Sequence, residues 1–241
     1  MKNFLGTVLL LAVLIRPAHA FPPPERLVYD ATWNGISAGS AVIELTHNER
    51  GFKAVNTIRS EGLVSTIFRI DDRIESVMSA DGRPSVYRAS INEGKHHTLN
   101  EVVFDFQSLQ AETTDLAKNA RKKEAITAAT HDNLSSLYFL RTRALAPGKS
   151  ILFDIYDGKR LWNAEARVTK RQQLATRQGT VTALMVVSTL KADGVSSPVG
   201  GSTFWFSDDT RHIPLKIKTK LKVGEMVLTL TQPTLPAPSN H

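Results

Sequence analysis

Residues 213–223 read Ile-Pro-Leu-Lys-Ile-Lys-Thr-Lys-Leu-Lys-Val, and this stretch decides the fold class. Leu215, Ile217, Leu221 and Val223 share one parity, while Lys216, Lys218, Lys220 and Lys222 share the other. Successive side chains of an extended chain point to opposite faces, so the pattern predicts a strand with one apolar and one cationic face. Gly224-Glu225 then predicts a turn into a second strand over 226–231. Another hairpin is predicted from 151–156 and 161–168 around Asp157-Gly158, a pair that supplies the positive-φ positions of a tight turn. Strand signals at 27–33, 40–46, 52–59, 64–70, 74–79, 85–91, 98–106, 181–190 and 202–207 are punctuated by similar turn residues. No strand–helix–strand rhythm appears. The expectation is a mainly β protein, a strongly curved antiparallel sheet or partly open β-barrel with one covering α-helix. Residues 107–130 fit either a polar hairpin or a frayed helix.

The covering helix is predicted over 133–145, with Asp132 as N-cap and Pro147-Gly148 as the stop. At about 100° per residue, Leu134, Leu137, Tyr138, Leu140, Ala144 and Leu145 form an apolar stripe. Arg141 sits in its middle, and Arg143 points away. A guanidinium on a buried face needs a partner. Either it meets a carboxylate from the sheet, with Asp209 the candidate, or it lines a cavity and holds an anionic ligand group.

The chain has 241 residues, 30 Lys plus Arg against 23 Asp plus Glu, and no cysteine. Disulfides, thiolate metal sites, cysteine nucleophiles and a lipidated cysteine are therefore excluded. Residues 1–20 have the parts of a secretory signal: Lys2, an apolar run from Leu5 to Ile15, and Ala18-His19-Ala20 before cleavage. The run is shorter than the roughly 20 residues a membrane span takes. The expected organisation is a signal peptide over 1–20, one β-rich domain over 21–232 and a flexible tail over 233–241. The expected address is a bacterial periplasm, reached as a soluble exported protein. An outer-membrane barrel is disfavoured by the amphipathic helix, an aromatic content of 7% and the Pro-rich C-terminus.

Several motifs suggest chemistry that their context does not support. Gly35-Ile36-Ser37-Ala38-Gly39 matches a nucleophile elbow, which needs a strand-to-helix turn, yet both flanks here read as strands. Gly148-Lys149-Ser150 lacks the upstream glycine of a phosphate loop, because Arg143 stands there. His96 and His97 are adjacent on a strand and so face opposite ways, and no histidine pair has zinc-helix spacing. Asp71-Asp72 and Asp208-Asp209 read as turn residues closing strands rather than as an acid–base pair. The lysine stripe reads first as the solvated face of an edge strand, and secondarily as an attractor of phosphates or an anionic membrane. Without interleaved aromatics it does not read as a nucleic-acid surface.

Three blocks carry a family resemblance. They are Tyr29…Trp33 to Gly39, Asp132 to Arg141 followed by Pro147-Gly148, and Trp205 to Asp209 followed by Arg211 to Pro214. On these the chain resembles the exported bacterial family known as domain of unknown function 3108. The resemblance implies a periplasmic, mostly β protein with one helix between two strand groups, and brings no catalytic residues.

The residues point away from an enzyme and require no cofactor or metal. The leading expectation is a binding or carrier protein for a lipid or other amphiphile, with an apolar cleft beneath the helix. Its walls would be Trp33, Phe104, Phe106, Trp162, Phe204, Leu137 and Tyr138, with Arg141 at the polar end. The alternatives are an envelope scaffold or assembly factor with a dry core, its partner another envelope protein, and a hydrolase of envelope polymers using Ser37 or the aspartate pairs. No membrane span is expected, and the oligomeric state stays open.

Overall fold

The structure, a computed structural model, describes residues 23–49, 51–197 and 201–235. The expected signal peptide and most of the expected tail lie outside the described residues.

The first half of the chain is a meander. It runs through β1 (Glu25–Trp33), β2 (Ile36–Asn48), β3 (Gly51–Ser60), α1 (Gly62–Ile67), β4 (Asp71–Ser79), β5 (Pro84–Glu93), β6 (His96–Asp105), β7 (Gln110–Asp115) and β8 (Ala120–Ala125). The second half comprises β9 (Thr130–His131), α2 (Ser135–Arg141), β10 (Ser150–Tyr156), β11 (Leu161–Thr176), β12 (Gly179–Ala192), β13 (Val195–Ser196), β14 (Ser202–Ser207), β15 (Pro214–Lys220) and β16 (Glu225–Thr234). All sixteen strands join one sheet, in the order β8-β7-β6-β5-β4-β3-β2-β1-β16-β15-β14-β12-β11-β10-β9, with β13 beside β12. Pairing is antiparallel except between β9 and β10. The two halves of the chain thus join through β1 and β16, and the sheet ends without a further strand at β8 and β9. The open, curved, mainly β architecture is the one the alternation predicted.

Antiparallel order places successive connections at opposite rims. α2 sits at one of them, the helix rim, and α1 and the β15–β16 turn lie at the other, the open rim. Burial follows this polarity. Near the helix rim the inward side chains Leu27, Tyr29, Ala54, Met78, Val168, Val186 and Phe206 are all buried. Toward the open rim their successors Trp33, Ile58, Ile74, Trp162, Leu190, Phe204 and Leu228 are only partly buried. One half of the concave face is therefore filled, and the other, the bowl, is only partly buried.

Several expectations need correction. The 64–70 strand is instead the short α1 and its exit. Its apolar residues find no neighbouring strand beyond a single Ile70–Glu93 bridge, and the Ser65 and Thr66 hydroxyls bond back to the Gly62 and Leu63 carbonyls at 2.7 Å. Residues 107–130 form the β7–β8 hairpin and then β9. β15 is an internal strand between β14 and β16, so its lysines line a solvated outer face and protect no edge. The strand ends at Lys220, which leaves Leu221 and Val223 exposed in the turn rather than on the apolar face. β16 continues to Thr234 and Leu235 packs on the core, inside the segment expected to be a loose tail.

Gly35 and Gly39 have backbone reasons. Gly35 supplies φ +81 in the β1–β2 turn. At Gly39 a Cβ would lie 1.9 Å from the Arg59 carbonyl oxygen, so β2 and β3 approach there as closely as only glycine allows.

Candidate functional site

Asp132 builds the start of α2. Its Oδ1 accepts the Leu134 and Ser135 amides at 2.8 and 2.7 Å, its Oδ2 accepts the Ser76 hydroxyl at 2.5 Å, and the Ser135 hydroxyl accepts the Asp132 amide at 2.9 Å. This reciprocal cap satisfies donors that a buried helix start leaves orphaned. Burial pushes the Asp132 carboxyl up, opposed by these hydrogen bonds. The helix ends at Arg141, not at Leu145. The Arg141 carbonyl is taken by His212 Nδ1 at 2.9 Å, Thr142 bonds back to Phe139 through its hydroxyl, and Pro147 biases Ala146 toward extended backbone. Ala144, expected on the apolar stripe, is exposed.

Arg141 is buried, and its partner is Glu25 rather than Asp209. Nη1 and Nη2 donate to the two Glu25 carboxylate oxygens at 2.7 Å each, and Nε donates to the Arg211 carbonyl at 3.1 Å. The guanidinium also lies 5.2 Å from the centre of the Tyr138 ring. Asp209 turns outward to Arg211. The physical reason is parity: Glu25 shares the inward face with Leu27 and Tyr29, directly below α2, whereas Asp209 follows β14 in an exposed bend. The space beneath the helix is filled by side chains, with Leu137 and Tyr138 in the main core and Trp162 and Phe204 packed against it. Phe104 and Phe106 belong to a second cluster around Tyr87, Val102 and Tyr156. Trp33 stands at the open rim, its Nε1 donating to the Val223 carbonyl at 2.8 Å. The residues expected to wall one cleft therefore divide among three places.

The bowl is partly polar. Trp162 donates to Asp157 at 2.9 Å beneath the Arg160 guanidinium, and Asn56 Oδ1 is buried between Ala54 and Ile58 with no protein donor. Two shallow depressions, of about 690 and 390 Å³, open to solvent outside the bowl. One is bordered by Lys218, Lys220, Lys222 and Asn34, the other by Arg69, Asp71, Asn92 and His97. Neither touches Arg141.

Two titratable groups expected to be ordinary surface or turn residues, His131 and Asp72, are buried instead. His131 lies tilted against Phe139, the ring centres 4.3 Å apart, and its buried Nδ1 has no protein partner. Burial, with Arg143 and Arg83 nearby, lowers it to about 4. Asp72, expected in a strand-closing turn, instead sits inward near the start of β4 and accepts the Asn92 amide at 2.8 Å. Burial raises its carboxyl to about 6, the Asn92 amide opposes this, and Glu93 and Asp71 add to it. A carboxyl that binds its proton more tightly folded than unfolded loses stability as pH rises from about 4 to about 6. Asp72→Asn keeps the acceptor for Asn92 and should flatten that loss. In urea unfolding it should gain about 1–2 kcal/mol on the wild type at neutral pH, allowing for solvent screening, and match it near pH 4. Equal midpoints at both pH values would show that Asp72 ionises normally.

The other motifs fall on ordinary positions. Ser37 is exposed in β2 opposite Thr32, on a strand–turn–strand. His97 contacts Asn92 and no acid. Asp208 pairs with Arg171. Among the described residues no cluster of three His, Asp or Glu side chains is placed to hold a metal ion, and no helix is long and apolar enough to cross a membrane.

Comparison with known proteins adds a fold and a family. The crystal structure of a beta-barrel-like protein of domain of unknown function DUF1849, from Brucella abortus, superposes with a TM-score of 0.65 at 14% identity, covering 88% of this chain and 98% of that one. At that identity the likeness shows the fold alone. No functionally curated protein matches the chain. The family model described as protein of unknown function, DUF3108, matches residues 28–231, and the chain belongs to that family.

Proposed function

We propose that the protein is a non-enzymatic binding protein of the bacterial periplasm, and that it takes the apolar part of an amphiphile onto the uncovered half of its concave sheet. One observation carries this reading: along β1, β3, β11, β12, β14 and β16 the inward apolar side chains pass from buried to partly exposed toward the open rim. A contiguous apolar surface of more than a few hundred Å² is rare on a monomer, and one that persists marks a binding site. Apolar walls with a few placed polar groups are the usual form of a small-molecule site, and Asp157 at the open rim supplies one here. The pocket beneath α2 is not part of the reading, since Glu25 and the core side chains occupy it.

The test is gentle purification followed by native mass spectrometry, with titration of a dansyl-labelled fatty acid below its micelle concentration. A co-purifying mass and saturable binding are expected. Phe204→Asp should weaken dye binding by about tenfold or more through the loss of one apolar wall. An empty protein that leaves the dye free would remove the carrier reading. The envelope scaffold would then stand in its place, favoured by the dry packing under α2.

A further inference from the structure

Twelve large apolar side chains are exposed among the described residues, and they are unevenly placed. Leu109 is the only one at the helix rim, and Leu99, Val103 and Leu152 lie on outer strand faces. The other eight occupy the open rim. Leu63, Ile67 and Phe68 lie on the β3–β4 connection, and Leu221 and Val223 on the β15–β16 turn. Ile36, Leu116 and Val195 tip three further connections.

α1 is the sharpest case. None of its residues is buried. Leu63 and Ile67 are 80% and 85% exposed and one helical turn apart, so they project together. The helix rests on β2 only through its half-buried side, Val64 and Ser65, and the aliphatic pair on the opposite side has no neighbour among the described residues but water. The rim connections also carry Arg69, Lys95, Lys118, Lys159, Arg160 and Lys222 against Glu61, Asp157 and Asp193.

We propose that the open rim docks on an anionic lipid bilayer, with Leu63 and Ile67 entering the headgroup–acyl boundary and the rim's basic side chains meeting lipid phosphates. The occupant follows from the layout. The apolar side chains tip five separate connections along a curved edge and form no groove, and a fluid surface meets scattered tips without a matched shape. The cationic excess suits the negative potential of such a surface. This rests on the exposed rim and holds whether or not the bowl takes a ligand.

The test is flotation of the chain from Phe21 onward, which carries every described residue, with phosphatidylcholine vesicles with and without phosphatidylglycerol. Binding should require the anionic lipid and fall at high salt. Leu63→Asp/Ile67→Asp, which changes only side chains that are 80% and 85% exposed, should stay folded by circular dichroism and lose binding by about 10- to 100-fold. Leu152→Asp, equally exposed on an outer face, should bind as the wild type does. Failure of the wild type to float with anionic vesicles overturns the proposal, as does undiminished binding by the double variant or an equal loss in Leu152→Asp. Flotation without uptake of the free dye leaves this inference standing and removes the carrier reading; dye uptake without flotation does the reverse.

Discussion

Glu25→Ala is expected to lower the unfolding free energy by about 3–5 kcal/mol, because it strands a guanidinium with no access to water. The pair is bidentate at 2.7 Å on both arms, and both side chains are almost completely buried. Arg141→Ala should cost a similar amount for the mirror reason, adding a cavity below α2. A double variant, Glu25→Leu with Arg141→Met, replaces both charges with apolar groups of similar size. It should recover to within about 1–2 kcal/mol of the wild type, since a buried ion pair contributes little net stability over a well-packed apolar substitute. Urea unfolding of the two single variants and the double variant gives the coupling directly. Additive losses would mean that the two side chains do not interact in solution.

His131→Phe is expected to protect the protein against acid. The wild-type ring is held to about 4 by burial, with Arg143 and Arg83 adding to the effect. A base whose folded value is depressed keeps its full stability above its unfolded value near 6.5 and loses it as pH falls toward about 4. The loss by pH 4.5 amounts to about 2 kcal/mol after allowance for partial solvation. Phenylalanine keeps the tilted contact with Phe139 and the edge contact with Phe153, and removes the unpartnered nitrogen. The variant should therefore be about 2 kcal/mol more stable than the wild type at pH 4.5 and close to it at pH 7.5, read from urea midpoints. Asp72 titrates over the same range with the opposite sign. The wild-type profile should be flatter than either variant's, with Asp72→Asn more acid-sensitive and His131→Phe more stable at pH 5 than at pH 7. Parallel profiles for all three proteins would rule out both assignments.

The β architecture was legible wherever a strand has one wet and one dry face. Lys216 to Lys220 and the Asp157-Gly158 hairpin are clear cases, because period-two alternation records that geometry directly. It misled at Leu221 and Val223 and at 64–70, where apolar residues sit on a rim that none of the described residues covers. α2 was recognised from its Asp132 cap and its stripe, but its length was overestimated, since the bond ending it comes from His212, 71 residues away. The need of Arg141 for a carboxylate was readable from chemistry alone. Its identity depended on which element lies beneath α2. A signal for Glu25 did exist, in its parity with Leu27 and Tyr29, but it sits beside the Pro-rich leader where alternation is hardest to follow. The bowl left no trace, because a filled and a hollow concave face are written with the same residues.

The sheet never closes on itself, and this shapes how many copies can share one compartment. β8 presents Arg121, Lys122 and Lys123 along one free border, and β9 offers only two residues at the other. A border so short or so highly charged makes a poor template for a neighbour's backbone. A ribbon of this width can thus leave its seam to side chains, such as the Thr113 and Tyr156 hydroxyls 2.9 Å apart, without its copies zipping together into fibrils.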